Sequence, residues 1–333
     1  MAVAVTSARP APADDDTPRA IVSRGARSDV IFRNALRAAG LSSFVITAMI
    51  LVFLIFRSLW AFGADGFSFL TKQNWVFTGN QFGIGGVLPD TLIIAAMASM
   101  ISIPTALATA IFISEYAPVQ LRRVLIAVID LMAAIPSIVY ALWGRFFLMP
   151  RVIGVMGWIS RHVSWFPPFK LTVQPSASSF VGSPAIAAMV VSLMAIPIIT
   201  SLSREVFSQA PQGEREAAYA LGSTRWGMVR TVVLPFGRGG AVGAAMLGIG
   251  RSLGETIAVY MIINTVYTLN WHVLETGGNS IAAMIAGLWN SATTNQLSAL
   301  MAAGLVLFAI TLTFNSLAAA IISRSRSGAA TQD

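Results

Sequence analysis

An arginine and a glutamate stand four residues apart in an otherwise apolar stretch of this 333-residue sequence. If the stretch is helical, Arg251 and Glu255 share one helix face, about one turn apart. Ionisable side chains inside a membrane are costly, and they usually face the interior of a helix bundle or a water-filled path. The planar guanidinium of Arg251 suits an oxyanion, which would compete with Glu255 for it. The pair therefore predicts part of an anion path or its gate, or alternatively a structural ion pair between helices.

A second polar segment lies between two apolar stretches and is predicted to form two short helices. Residues 214–221 begin with acidic side chains, which the helix dipole favours at an N-terminus. Gly222 is expected to end this helix because glycine readily adopts the left-handed conformation. Ser223 or Thr224 can cap the second helix, which must stop before Pro235. The segment is therefore an ordered elbow joined by a glycine turn.

An ordered, charged elbow between membrane spans is suited to docking a partner protein. Glu216 offers the partner a hydrogen-bond acceptor, while the small side chains of Ala217 and Ala218 allow a close approach. The helix signals alone are equally compatible with an ordinary solvated connector, so both interpretations stay open at this point.

Composition places the chain in a membrane. It is 56% hydrophobic and only 11% charged, whereas soluble domains carry about 25% charged residues. The net charge of +8 is not gathered on one amphipathic face, so no nucleic-acid partner is predicted. There is no cysteine, which excludes thiolate metal sites, and His162 and His272 have no ligand-spaced partners. We therefore predict no metal site, no cofactor and no catalytic residue.

Six apolar stretches predict an all-α, polytopic membrane helix bundle within residues 29–323. Residues 1–28 are poor in large apolar side chains and predict a disordered tail, and residues 324–333 form a second tail. The loop that carries the elbow covers 203–236. The six spans are expected at about 41–62, 89–114, 124–148, 181–202, 239–263 and 297–322.

The distribution of Lys and Arg predicts the orientation of the spans. If the N-terminus is inside, fifteen of these residues lie on the cytoplasmic side and five on the outer side. Cytoplasmic loops carry an excess of Lys and Arg. Both tails and the elbow are therefore predicted to be cytoplasmic.

The elbow resembles the coupling loop of bacterial ABC importer permeases, whose pattern is EAA-x3-G-x9-[IV]-x-LP. The resemblance implies a type I importer permease fold in the bacterial inner membrane, with the elbow docked on a separately encoded ATP-binding subunit. The chain has no G-x-x-x-x-G-K-[ST] loop, so the resemblance implies a transport subunit that is not itself an enzyme. The coupling residues that it identifies are Glu216, Ala217, Ala218, Gly222, Leu234 and Pro235.

Two further segments narrow the resemblance. Residues 134–144 read AIPSIVYALWG and residues 250–259 read GRSLGETIAV. Both are similar to permeases of the high-affinity phosphate importer. The sequence GETIAV resembles the C-type rather than the A-type subunit. The matching Arg and Glu of that family are implicated in phosphate passage, which implies this role for Arg251 and Glu255.

The resemblance also implies the partners of the chain in the lipid bilayer. They are a second, A-type permease, two ATP-binding subunits and an extracytoplasmic phosphate-binding protein. The alternatives are a permease for another oxyanion, such as sulfate, molybdate or phosphonate, and an ATP-independent channel or secondary transporter. The elbow argues against the last class, which has no need of an ATPase dock.

Overall fold

The computed structural model describes residues 27–76 and 81–325, which are almost entirely helical. Most of the two predicted tails lies outside these residues, although Arg27 and Ser28 already belong to the first helix. A short antiparallel pair, β1 (Trp75–Val76) and β2 (Gln81–Phe82), lies between the first and second long helices. The helices are α1 (Arg27–Asp65), α2 (Ser68–Thr71), α3 (Val87–Ile111), α4 (Val119–Ala134), α5 (Ser137–Trp143), α6 (Met149–His162), α7 (Ala177–Phe180), α8 (Pro184–Ser208), α9 (Gln212–Ala220), α10 (Arg225–Met228), α11 (Leu234–Gly254), α12 (Ile257–Ile262), α13 (Ile281–Leu288) and α14 (Thr294–Ser325). Wider π-helical turns at Phe112–Tyr116, Gly144–Leu148 and Val229–Val233 extend α3 and join α5 to α6 and α10 to α11.

The described residues fall into two compact units, divided after Ile50. The first unit contains the beginning of α1, whose apolar side chains, such as Phe44, are exposed to the surroundings. The second unit begins at Leu51 and contains the remaining helices. Exposed apolar side chains along a helix of this length are expected where the surrounding solvent is lipid.

Six helices among the described residues are long and apolar enough to cross a membrane, which confirms the predicted all-α polytopic class. Their bounds are Ser28–Ala64, Val87–Tyr116, Ser137–His162, Pro184–Ser208, Arg225–Gly254 and Thr294–Ala320.

The third span differs from the expected 124–148. The helix that starts at Val119 ends at Ala134, and Ile135 is extended with a ψ of 127°. Pro136 explains the break because proline disfavours helical backbone in the residue before it. A new helical segment starts at Ser137 and continues to His162, so the spanning stretch lies later in the chain than the sequence pattern predicts.

The second unit is organised around α8, the most deeply buried of the six long helices. It packs against α3 on one side and against α11 on another. Glycines on α11 allow the close approach: a Cβ added at Gly237 would lie 2.4 Å from a ring carbon of Phe207, and one at Gly248 would lie 2.4 Å from Ile199. Pro104 and Pro197 lie inside α3 and α8, which continue past them.

Candidate functional site

The elbow folds as the short helix α9, a turn, and α10, which continues through the π-helical turn Val229–Val233 into α11. The expected stop before Pro235 is wrong, because the wider π-helical turn precedes the proline and the helix continues past it.

Gly222 lies after α9 with a φ of +82°, in the left-handed region, as predicted. Its amide donates to the carbonyl of Tyr219 at 2.9 Å, and the amide of Ser223 donates to Ala218 at 3.1 Å. The cap of the second helix is Thr224, whose hydroxyl accepts from the amide of Gly227 at 3.1 Å. These bonds satisfy the backbone groups at the joint and fix the direction in which the chain enters α11.

We expect Gly222→Ala to destabilise the elbow by about 1–2 kcal/mol, because an alanine in the left-handed region meets the carbonyl oxygen. No atom would crowd the new methyl group, so backbone strain is the whole effect. Gly213→Ala in α9 is the matched control, since it also has open space but no positive φ. Thermal unfolding of the purified chain measures both, and equal effects of the two substitutions would contradict the assignment.

The two alanines of the elbow do not share an environment. Ala218 is buried against Phe207 and Met228, whereas Ala217 is exposed. Successive residues of an α-helix point about 100° apart, so the two alanine side chains point in different directions. Ala218 packs α9 onto its own chain, and Ala217 is presented outward. The close approach of a partner to this alanine pair stays a prediction.

The outward face of the elbow combines one carboxylate with apolar side chains. Glu216 is exposed and accepts from Nε2 of Gln212 at 3.1 Å. Leu221 is 88% exposed and Tyr219 44% exposed beside it. Apolar side chains that remain exposed around a charged group are typical of a surface that a partner covers. At the other end of the motif, Leu234 is the first residue of α11 and is half-buried against the apolar cluster that contains Phe207 and Met228. Pro235, the second residue of α11, is exposed.

A buried ion pair joins the elbow to the spans, and sequence reasoning missed it. Nη1 of Arg215 lies 2.9 Å from Oε2 of Glu115, with side chains only 15% and 3% exposed. Arg215 also donates to the carbonyl of Phe207 at 2.7 Å and to that of Ala210 at 3.2 Å. One guanidinium therefore connects α9 to the end of α8 and to the π-helical turn that extends α3. The position of Glu115 at the end of an apolar span indicates that a cationic side chain pairs with it, although the sequence does not say which one.

Arg251 and Glu255 do not form the predicted pair. The helix α11 ends at Gly254, and Glu255 is extended with a ψ of 122°. Glu255 is buried, and its Oε1 accepts from the amide of Ala258 at 3.3 Å, so it caps the start of α12. A carboxylate at this position competes with continuation of the helix because it satisfies a free N-terminal amide. The sequence spacing assumed one unbroken helix, and the break places the two side chains on different elements.

Arg251 has no ion-pair partner of its own on a neighbouring helix of the described chain. Arg251 is exposed and makes no ion pair or hydrogen bond with any of the residues that the structure describes. Tyr140 donates to the carbonyl of Met132 at 2.9 Å and lines a cavity of about 390 Å³ with Ile135 and Trp143. Arg251 is therefore an exposed guanidinium without a partner among the described residues.

Two other buried carboxylates have structural partners. Asp90 accepts from the amide of Asn279 at 3.2 Å and from that of Asn270 at 3.4 Å. Glu275 accepts from the hydroxyl of Thr172 at 2.8 Å. Both carboxylates fix loops that connect helices. Across residues 27–76 and 81–325, no group of His, Cys, Asp or Glu is arranged to hold a metal ion.

Comparison with known proteins identifies the family of this chain. The family model described as the inner membrane component of binding-protein-dependent transport systems matches residues 102–327, which include the elbow and Arg251. Phosphate transport system permease protein PstC 2 of Mycobacterium bovis is 36% identical over 299 residues, covering 89% of this chain and 92% of that protein. The PstC proteins of Pasteurella multocida and Mesorhizobium japonicum are 36% and 33% identical, covering 89% and 96% of this chain and 92% and 98% of those proteins.

Solved structures support the same fold at low sequence identity. A chain from the bacterial alginate ABC transporter, in complex with alginate pentasaccharide-bound periplasmic protein, aligns with a TM-score of 0.56 at 15% identity, covering 87% of this chain and 94% of that chain. A chain of the MetNI methionine ABC transporter, solved in inward-facing conformations, gives 0.52 at 16% identity, with 71% and 93% covered. These likenesses confirm the permease fold of ABC importers. The chain therefore belongs to the family of binding-protein-dependent transport system inner membrane components, and within it to the PstC group of phosphate transport system permeases.

Proposed function

We propose that this chain is a permease subunit of an ATP-driven, binding-protein-dependent importer of inorganic phosphate, and that it forms half of the translocation path. The observation that carries the proposal is the elbow, which presents Glu216, Ala217 and Leu221 outward while Arg215 fixes it to the spans. Substrate identity is supported by relatives at 33–36% identity that are named phosphate permeases.

The elbow is the dock for separate ATP-binding subunits. The sequence has no phosphate-binding loop of its own, so ATP hydrolysis is assigned to those partners. Closure of two such subunits would push on α9, and the Arg215–Glu115 pair would carry that movement to the ends of α3 and α8. An A-type permease would supply the other half of the path, and an extracytoplasmic phosphate-binding protein would deliver the anion.

Arg251 is the proposed anion contact of the path. An exposed guanidinium on a spanning helix is expensive unless water or an anion meets it. Its planar fork matches the oxygens of phosphate. Glu255 takes a different role from the one predicted, because its carboxylate accepts from Ala258 and so holds the break between α11 and α12 close to Arg251 in the chain. The substrate path therefore depends on both residues in separate ways.

The proposed location is the bacterial inner membrane, with both termini and the elbow in the cytoplasm. The excess of Lys and Arg on one side supports this orientation. Cysteines introduced singly at Gly213 and at Trp165, both exposed, would be labelled from opposite sides of the membrane by an impermeant maleimide.

Uptake measurements test the proposed substrate. Cells that lack this chain should lose high-affinity phosphate uptake and regain it with the wild-type chain. Sulfate, molybdate and phosphonate uptake should not depend on the chain, and dependence of one of these instead of phosphate would favour the alternative oxyanion permease. Uptake that survives loss of the ATP-binding subunit would favour a channel or secondary transporter.

We expect Glu216→Ala to lower phosphate uptake about tenfold by weakening the dock, a loss that corresponds to about 1.4 kcal/mol of binding free energy. Glu214→Ala is the matched control, because Glu214 is also exposed in α9 but lies outside the motif. Co-purification of the ATP-binding subunit measures docking directly. Equal retention by wild type and Glu216→Ala, with normal uptake, would remove Glu216 from the dock.

A further inference from the structure

An apolar groove of about 550 Å³ lies between α3 and α11, close to the elbow. Ile103, Leu107 and Ile111 form one wall, spaced four residues apart along α3. Residues at this spacing follow one helix face over about 12 Å. Val242 and Ala245 of α11 form the facing wall. The groove is therefore long and apolar, a shape that suits a hydrocarbon chain.

Two arginines give the groove a charged end. Arg230 and Arg238 line it on the elbow side, ahead of the apolar part of α11. Both are exposed, and neither makes a hydrogen bond or ion pair within the described part of the chain. No acidic side chain lines the groove. Two unneutralised guanidinium groups beside an apolar groove are complementary to an anionic head on an apolar tail.

The groove faces away from Arg251. Val242 precedes Arg251 by nine residues, and two and a half turns of helix place them on opposite faces of α11. If Arg251 lines the path, as proposed above, the groove on the opposite face of α11 is directed away from the path, where lipid can reach it. On this point alone the inference rests on the proposed function.

We propose that this groove binds an anionic phospholipid from the leaflet next to the elbow. The phosphate of the headgroup lies between Arg230 and Arg238, and one acyl chain lies between the walls formed by α3 and α11. Guanidinium groups bind phosphate oxygens through paired hydrogen bonds. A zwitterionic headgroup carries a cation of its own, which reduces the electrostatic attraction of its phosphate to the arginines. The lipid would occupy the junction at which α11 leaves the elbow.

Lipid retention by the assembled importer tests this site. The complex is purified, reconstituted with phosphatidylglycerol or phosphatidylcholine, and washed with detergent, and bound lipid is counted by native mass spectrometry. We expect the wild type to retain phosphatidylglycerol selectively. Arg230→Gln/Arg238→Gln should lower that retention about thirtyfold, from about 1 kcal/mol for each basic residue at an anionic lipid surface.

Two further variants separate headgroup from chain. Arg123→Gln is the matched control, because Arg123 is exposed and without a partner among the described residues but lies on α4, outside the groove. It should retain phosphatidylglycerol as the wild type does. Ala245→Trp fills the groove and leaves both arginines in place, so it should also lower retention. Equal retention of the two lipids by the wild type would overturn the proposal, even if a variant fails to assemble.

Two other results would also overturn the site. Efficient cross-linking of Val242→Cys to another importer subunit in native membranes would mean that protein covers the groove. If inorganic phosphate protected Arg230 and Arg238 from phenylglyoxal as well as phosphatidylglycerol vesicles do, the arginines would bind a free anion rather than a lipid. Because retention is counted without transport, these outcomes are independent of whether the chain carries phosphate.

Discussion

Arg251→Gln is expected to lower phosphate uptake about a hundredfold, an effect of the size seen when one preorganised donor to a charged oxygen is removed. Glutamine retains a hydrogen-bond donor but neither the charge nor the fork that matches two phosphate oxygens. Arg251→Lys, which keeps the charge alone, should fall between wild type and Arg251→Gln. Radiolabelled phosphate uptake in cells that lack the native chain measures all three, after their amounts in the membrane are matched.

Glu255→Gln separates the observed geometry from the pair predicted by spacing. Glutamine can still accept the amide of Ala258 through its own Oε1, so the cap that the structure shows would survive. Uptake should then fall only a few-fold, whereas an ion pair with Arg251 would make the two substitutions similarly severe. Normal uptake by Arg251→Gln, in a normally assembled complex, would exclude Arg251 from the path.

Arg215→Met is expected to produce the largest loss of stability, about 3–5 kcal/mol, because removing one partner leaves the other charge buried. Glu115 is 3% exposed and has no other cation within the described ranges, and Oε1 already lacks a hydrogen-bond partner there. The carbonyls of Phe207 and Ala210 would lose the guanidinium donor as well, and that of Phe207 would keep the amide of Ala210. Thermal unfolding of the purified complex and the rate of proteolysis at the elbow measure the loss.

A double substitution tests whether the pair acts as a unit. Arg215→Met with Glu115→Leu removes both charges, and a buried pair replaced by apolar side chains often costs little. The double variant should therefore be more stable than Arg215→Met alone. Arg225→Met is the control: Arg225 lies over the ring of Tyr116 at 5.3 Å, and losing that contact costs roughly 1 kcal/mol at an exposed site. If the losses of stability caused by Arg215→Met and Glu115→Leu simply add in the double variant, the two residues do not act as a unit.

The proposed role of the Arg215–Glu115 pair in transmitting movement can be measured separately from its role in stability. If Arg215 transmits movement of the elbow, then Arg215→Met should leave some ATP hydrolysis while lowering the phosphate carried per ATP. A pair that only stabilises the fold would lower both in proportion. The ratio of uptake to hydrolysis in reconstituted vesicles distinguishes the two.

The sequence by itself determined the class, the elbow and the family. Long apolar stretches must be helical in a bilayer, because no water is present to satisfy an open backbone, and composition alone reveals them. The elbow could be predicted because its signals are local: acidic residues at a helix start, a glycine at the turn and a hydroxyl cap all act within a few residues. Gly222 adopts the expected left-handed conformation for this reason.

Only the tertiary structure decided which of these side chains meet. The Arg215–Glu115 pair joins residues a hundred positions apart, and nothing in the local pattern selects that partner for Glu115. Ala218 turns inward because α9 packs on Phe207 and Met228, a contact that the alanine pair does not encode. The spacing of Arg251 and Glu255 assumed a continuous helix, but a helix break is decided by competition among caps, packing and propensity. Local signals therefore fixed the elements, and packing between distant elements fixed the sites.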